Sequence, residues 1–406
     1  MSFWRDPINF LASLLQNWLS GLGLAPGLVQ LISFVVGSAV LATGSLLFVI
    51  FLIWLERKLF GRVQDRLGPN RVGPYGLFQP FADMAKIFTK EYVTPTGADK
   101  VPYNLAPILM VAAVIMIWAV IPFASTIYGV DLNVGVLYIV AVGGLAELAI
   151  VLAGWGSNNK YALLGGLRAV AMLVSYEVPM ILSLLIPVLL SGSLSLNGVV
   201  VGQNIWFIFM APLAAFIFFI TSMAEISRAP FDIAEAESEI VAGFNIEYSG
   251  LKFGFFYVGE FLHGFTAALL FTVLFLGGWR GPFAESIPIL GFVYFVIKAS
   301  LVYLFIVLVD ASLPRFRIDQ LMDLSWKVLT PLALALIALV TLADKILLEL
   351  GVTNLWIRLP VFLAINAALA LAANWFLNRP SQKERPIVSD RPRPVARPNN
   401  FNTLPD

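Results

Sequence analysis

Residues 29–55 read VQLISFVVGSAVLATGSLLFVIFLIWL, 27 positions in a row without an ionisable side chain. About 20 such residues carry an α-helix across a hydrocarbon core of ~30 Å, so this stretch predicts a transmembrane helix with length to spare for tilt or protrusion. Eight further apolar segments follow, at 105–123, 134–153, 169–190, 205–224, 255–277, 289–309, 328–350 and 355–377. The expected fold is an all-α polytopic membrane protein with about nine transmembrane helices.

Composition agrees with that reading. Of 406 residues, 59% are hydrophobic and 13% charged, with a mean hydropathy of +0.86; a soluble domain carries about a quarter charged residues. A soluble enzyme and a secreted disulfide scaffold are excluded. A net charge of +1 offers no basic field for nucleic acid, so the bilayer is the expected environment and no nucleic-acid partner is expected. Cysteine is absent and His263 is the one histidine, which leaves no ligands for a thiolate-held Fe–S cluster or a cysteine zinc site. Gly21-Leu22-Gly23 runs into Pro26 and Gly27 and fails the dinucleotide fingerprint, and no P-loop occurs. No metal, flavin or Fe–S cofactor is expected on this chain. In a redox enzyme, the nucleotide and the electron carriers would belong to other subunits.

Orientation follows from the basic residues, which favour the cytoplasmic side. The connections 56–104, 154–168, 225–254 and 310–327 and the tail 378–406 hold 21 of the 26 Lys and Arg residues. The alternate connections 124–133, 191–204 and 278–288 hold only Arg280. Nine spans, with the N-terminus outside and the C-terminus cytoplasmic, put every basic connection on one side. Residues 1–28 contain a weaker apolar stretch, broken by polar residues, that reads as an interfacial segment and lacks signal-peptide order. Residues 29–377 form the transmembrane bundle. The tail 378–406, rich in Pro and Arg, shows no apolar periodicity and reads as disordered or docked on a partner.

Two cytoplasmic connections are long and patterned. After Glu56-Arg57-Lys58, the stretch Gly68-Pro69-Asn70-Arg71-Val72-Gly73-Pro74 is too turn-rich for a helix. From Pro80, the residues Phe81, Met84, Ala85, Phe88 and Tyr92 recur at helical spacing opposite Asp83, Lys86 and Lys90. An amphipathic helix in the membrane interface is expected there. The second connection reads AEISRAPFDIAEAESEIVAGFNIEYSG over 224–250 and sets Glu225, Asp232, Glu235, Glu237, Glu239 and Glu247 against Arg228 and Lys252. On a helix, Asp232, Glu235 and Glu239 would share a face. Interleaved Ile226, Phe231, Ile233, Ile240 and Phe244 indicate burial, where crowded carboxylates titrate upward and as a group.

Glu147, Glu177, Glu260 and Lys298 fall within spans. Each costs roughly 2.5–3.5 kcal/mol facing lipid, so they are expected to face protein or a wet cavity and to mark a proton path. Pro179, next to Glu177, frees a backbone carbonyl one turn back. Glu260 and His263 are spaced like half of a di-iron motif, but no second histidine exists to complete it, and Glu260 remains a proton-handling candidate.

Four stretches carry a resemblance: ERKLFGRVQDRLGPNRVGPYGLFQPFADMAKIFTKE (56–91), GGLRAVAMLVSYEVP (165–179), the acidic loop 224–250, and PRFRIDQLMDLSWK (314–327). In order and content they resemble the H subunit of NADH–quinone oxidoreductase, the component of respiratory complex I called subunit 1 in mitochondria. The resemblance implies eight family-type spans plus one C-terminal helix, with spans two to six (105–277) similar to an antiporter half-channel. It implies a quinone tunnel whose entrance involves Glu56, Arg57, Arg66, Asp83, Lys86 and Phe88, with Arg228 and Phe231 beside it. It also implies a proton relay through Glu225, Asp232, Glu235, Glu237, Glu239, Glu247 and Glu260, continuing to Glu177 and Glu147.

The further implications concern setting and partners. Quinone would be a substrate at a shared site, with peripheral-arm and membrane-arm subunits as partners. The bacterial inner membrane would be the location, and the chain would hold no complete active site alone. Met172 stands where Gln is common in the family, and Ala234 where many bacterial members have Pro; neither removes an ionisable group. Beside a pure scaffold whose acids serve only to dock neighbours, two other readings of the residues stay open. One is a homologous membrane anchor of a hydrogenase or ferredoxin-fed complex. The other is a stand-alone ion antiporter, which would leave the long apolar-laced loops unexplained.

Overall fold

The computed structural model describes residues 6–234, 241–352 and 354–378. Among them every regular element is helical. The chain opens with α1 (Pro7–Gly21), started by Asp6, whose carboxylate accepts the Asn9 backbone N–H at 3.1 Å and side-chain amide at 2.6 Å. That is the usual way an N-cap satisfies an orphan donor of the first turn. A tight turn leads to α2 (Pro26–Val63), whose 38 residues extend about 57 Å at 1.5 Å per residue. The helix thus runs two turns beyond its apolar stretch, and Glu56, Arg57 and Arg62 ride on its polar end.

The turn-rich stretch after α2 folds back on that end. A Cβ on Gly61 would stand 2.8 Å from the Gly68 nitrogen, and one on Gly76, at φ +76°, 2.2 Å from the Pro69 carbonyl oxygen. Both positions need glycine because backbone approaches backbone. The amphipathic α3 (Gln79–Thr89) follows with Pro80 in its first turn. It stops at Lys90, in extended conformation, so Tyr92 lies beyond the helix. Phe81, Met84 and Phe88 are exposed.

The bundle is formed by α4 (Lys100–Trp118), α5 (Gly135–Gly156), α6 (Lys160–Ser191), α7 (Leu196–Gly202), α8 (Phe207–Met210), α9 (Pro212–Glu225), α10 (Gly250–Phe275) and α11 (Pro288–Ser312). A continuous helical run follows through α12 (Ile318–Asp323), a π-helical turn at Leu324–Leu329 and α13 (Thr330–Glu349), and α14 (Leu355–Leu377) closes the described chain. The central span is α10, with 72% of its most apolar 18 residues buried against 11% for α14. It packs on α4, α11, α2 and α9.

Among the described residues eight helices are long and apolar enough to cross a membrane. The segment 205–224, expected as one span, is instead broken. Ala211 adopts φ −133°, ψ 63° between α8 and α9; Pro212 has no N–H to donate and starts a new helix. An unbroken apolar composition conceals the break.

Prolines inside spans leave carbonyls without helical donors, and at Pro107 and Pro179 another element answers. Pro107 frees the Tyr103 carbonyl, which accepts the Tyr248 hydroxyl at 3.1 Å. Burial first, then Tyr103, pushes the Tyr248 hydroxyl above its ordinary range and keeps it a donor. The two rings stack at 4.3 Å, and Tyr103 donates in return to the Glu247 carbonyl at 2.8 Å. Pro179 frees the Ser175 carbonyl, which accepts the Ser325 hydroxyl at 2.5 Å from the π-helical turn. Within a bilayer, such groups must be satisfied by the protein itself.

Candidate functional site

The loop after α9 turns sharply at Ser227, φ 56°, and drops Arg228 among three helices. Its guanidinium Nη1 lies 2.5 Å from Glu56 Oε1 on α2 and 3.3 Å from Asp310 Oδ2 on α11, while Nε lies 3.3 Å from Glu260 Oε1 on α10. Tyr303 donates its hydroxyl to the second Glu56 oxygen at 3.0 Å, and the Ala229 N–H donates to Asp310 Oδ1 at 2.9 Å. The guanidinium carbon sits 5.1 Å from the Phe261 ring centroid, a cation–π contact. Burial alone lowers the Arg228 pKa, but Glu56, Glu260 and Tyr303 outweigh it, and the net shift is upward. Arg228 is a fixed cation.

A cavity of about 320 Å³ opens beside this cluster. Its walls include six carboxylates, those of Glu56, Glu147, Glu225, Asp232, Glu260 and Asp310, with Arg228 and His263. A second cavity of about 30 Å³ shares Glu147, Glu225 and His263 with the first and adds Glu177 and Ser222. Carboxylates on α2, α5, α6, α9, α10 and α11 therefore line two neighbouring cavities as one row whose shared members are Glu147 and Glu225. His263 Nε2 stands 3.5 Å from Glu225 Oε1. Acids crowded in a low-dielectric setting share protons and exchange them as a group.

Of the other expected residues, Arg57 lies on α2, Arg66 in the turn after it, and Asp83, Lys86 and Phe88 on α3. Arg57 pairs with Asp83, pinning α3 to the end of α2, and Phe88 is 61% exposed. Arg66 donates to Gln64 at 2.7 Å, and Lys86 is exposed. Phe231 is buried, edge-on to the Tyr176 ring at 5.3 Å. Glu247 lines neither cavity; its carboxylate accepts the Asn159 amide at 2.7 Å. Lys298 stands apart from the row, its ammonium donating to the carbonyls of Leu276, Gly278 and Arg280 at 2.8–3.0 Å. Asp232 itself is not helical and sits in a run of turns and bends over 226–234. Glu235, Glu237 and Glu239 lie outside the described residues.

Asp310 and Tyr303 escape the sequence reading. Hydropathy places Asp310 at the start of a connection, yet α11 runs on to Ser312. The available signal is its i+7 spacing from Tyr303, which puts both on one helix face.

Comparison with known proteins names the setting of this carboxylate row. The family model described as NADH dehydrogenase matches residues 36–341, three quarters of the chain and all the helices that line the cavities. The chain belongs to the H-subunit family of NADH–quinone oxidoreductase. The H subunit of Dehalococcoides mccartyi strain CBDB1 is 50% identical over 287 residues, covering 71% of this chain and 80% of the relative. That of Geobacillus sp. strain WCH70 is 45% identical over 328 residues, 80% of this chain and 98% of the relative. An H subunit of Geobacter sulfurreducens is 49% identical over 294 residues, 70% of this chain and 88% of the relative. As a member of this family, the chain is a multi-pass membrane component of an oxidoreductase complex and works with other subunits. Both α1 and α14 lie outside the family-matched region.

Proposed function

We propose that this subunit forms the membrane-side wall of the quinone site and couples quinone reduction to proton movement through its carboxylate row. The observation that carries the reading is that two neighbouring cavities, lined by acids from Glu56 to Glu177, share Glu147, Glu225 and His263, with Arg228 as the strong cation in the first. Reducing a quinone to a quinol takes up two protons at the headgroup. Drawing them from a crowded acid set changes the charge beside Arg228. A guanidinium shared by Glu56, Glu260 and Asp310 responds to such a change, because protonating one partner strengthens its hold on the others. Glu225, His263 and Glu147 then pass the imbalance toward Glu177 and neighbouring membrane subunits.

In this reading α3 and the end of α2 frame the quinone entrance. The exposed Phe81 and Phe88 offer an apolar path for the isoprenoid tail, and the Arg57–Asp83 pair fixes its width. Glu235, Glu237 and Glu239 add three acids to the loop, and they and Glu247 are proposed as further members of the relay. The setting is a bacterial inner membrane with the loops on the cytoplasmic side, in keeping with the bacterial relatives.

The test is substitution in the assembled complex. Glu56→Gln and Glu225→Gln are each expected to depress NADH–quinone reduction several-fold while leaving NADH oxidation by an artificial acceptor intact. Wild-type quinone reduction in both variants rules the coupling role out.

A further inference from the structure

We infer that α14 is a splint for the broken span, and that Asn366 is the positioning residue through which it sets the arm bearing Glu225; this rests on the relay role proposed for Glu225. Helix α14 lies beyond the family-matched residues, and it is the least buried span. Yet the two side chains that it buries are Phe362 and an amide, Asn366. An amide inside an apolar helix is unfavourable unless its hydrogen bonds are made.

Asn366 makes three. Its Nδ2 donates to the Phe362 carbonyl of its own helix at 2.8 Å and to the Met210 carbonyl at 3.2 Å. Its Oδ1 accepts the Leu213 N–H at 3.2 Å. Met210 and Leu213 flank the break at Ala211 and Pro212. With Ala211 out of helical conformation and Pro212 lacking an N–H, the carbonyl ending α8 and the donor opening α9 have lost regular helical partners. One amide supplies both. Two turns earlier Arg358 pairs with Asp344 on α13, and α13 packs on α6. Asn366 is thereby held against the frame that carries Glu177.

The break is coupled to the site by a stiff rod. From Leu213 to Glu225 the chain reads LAAFIFFITSMAE, with no glycine or proline to absorb a rotation, over about 18 Å of helix. At its far end Glu225 stands 3.5 Å from His263 and lines both cavities. A change of direction where α9 starts is delivered to that contact.

The experiment uses the whole complex in membranes, with Asn366→Leu, Asn366→Ala and Asn366→Ser beside Glu225→Gln. Leu371→Ala, at an exposed position of the same helix, is the control. Quinone reduction per assembled complex is followed against pH. Glu225→Gln is expected to abolish one limb of the profile. Leu and Ala at 366 are expected to displace that limb and to lower the rate roughly tenfold, short of the ~100-fold that a 1 Å misplacement can cost. Ser, which keeps a donor and an acceptor, should fall between, and Leu371→Ala should match wild type. An unchanged profile and rate in the Asn366 variants, beside an altered Glu225→Gln, overturns the splint alone. A Glu225→Gln profile that keeps the limb removes the relay reading and the positioning role together. Failure of all three Asn366 variants to assemble assigns the residue to folding and overturns the positioning role.

Discussion

Arg228 and Glu56 are 172 residues apart in the chain and 2.5 Å apart in space. The contact ties the acidic loop to the polar end of the first long span. Its surroundings make it costly to break, because the same guanidinium also faces Glu260 and Asp310. Arg228→Met leaves three carboxylates without their cation. Removing one partner of a buried ion pair destabilises by about 3–5 kcal/mol. Much less of the variant chain should be retained in membranes by immunoblot, and Arg228→Lys should rescue only partly, since an ammonium cannot present the planar fork that reaches three acids.

Asp310 offers a cleaner separation of charge from structure. Asn at 310 keeps an oxygen to accept the Ala229 N–H, now bonded at 2.9 Å, and removes the charge together with the second oxygen, which accepts from Arg228 at 3.3 Å. Asp310→Asn should assemble normally and lower quinone reduction several-fold, measured as turnover per assembled complex. Wild-type turnover would take Asp310 out of the coupled set.

The Arg57–Asp83 pair is partly exposed, with side chains 48% and 26% accessible, and exposed pairs contribute about 0–1 kcal/mol. Arg57→Ala and Asp83→Asn should therefore leave complex stability unchanged. If the pair sets the quinone entrance, each should raise the apparent KM for quinone with little change in kcat. Unaltered quinone kinetics in both would remove the entrance from α3.

Ser325 tests how proline breaks are repaired. Ser325→Ala should cost about 1 kcal/mol, the usual net worth of a hydrogen bond, read as faster loss of activity on heating. In a Pro179→Ala background the restored main-chain N–H can reach the Ser175 carbonyl, so the same substitution should cost little. Equal cost in both backgrounds would separate Ser325 from the proline.

Much of the fold is legible in composition because a bilayer imposes length and apolarity on every span. The runs around 29–55, 134–153 and 289–309 correspond to α2, α5 and α11 with ends shifted by a few residues, since polar helix ends carry no hydropathy signal. Hydropathy is equally blind to breaks: 205–224 is apolar throughout, and only Pro212 hints at the split. The ionisable residues inside spans are visible as individuals. Their grouping is not. Glu225 meets His263, and Glu56 meets Tyr303, across helices whose packing no local pattern encodes. Conversely Glu247, grouped with the loop acids by sequence proximity, lines neither cavity and accepts from Asn159.

The central claim is that reducing quinone changes the protonation of the carboxylates between Glu56 and Glu177. Redox-induced infrared difference spectroscopy of the assembled complex reads this directly, through the carbonyl band of protonated carboxyl groups. Quinone reduction should produce a carboxyl band in wild type that weakens in Glu147→Gln and Glu225→Gln. Difference spectra identical to wild type in both variants would show that the row does not take part.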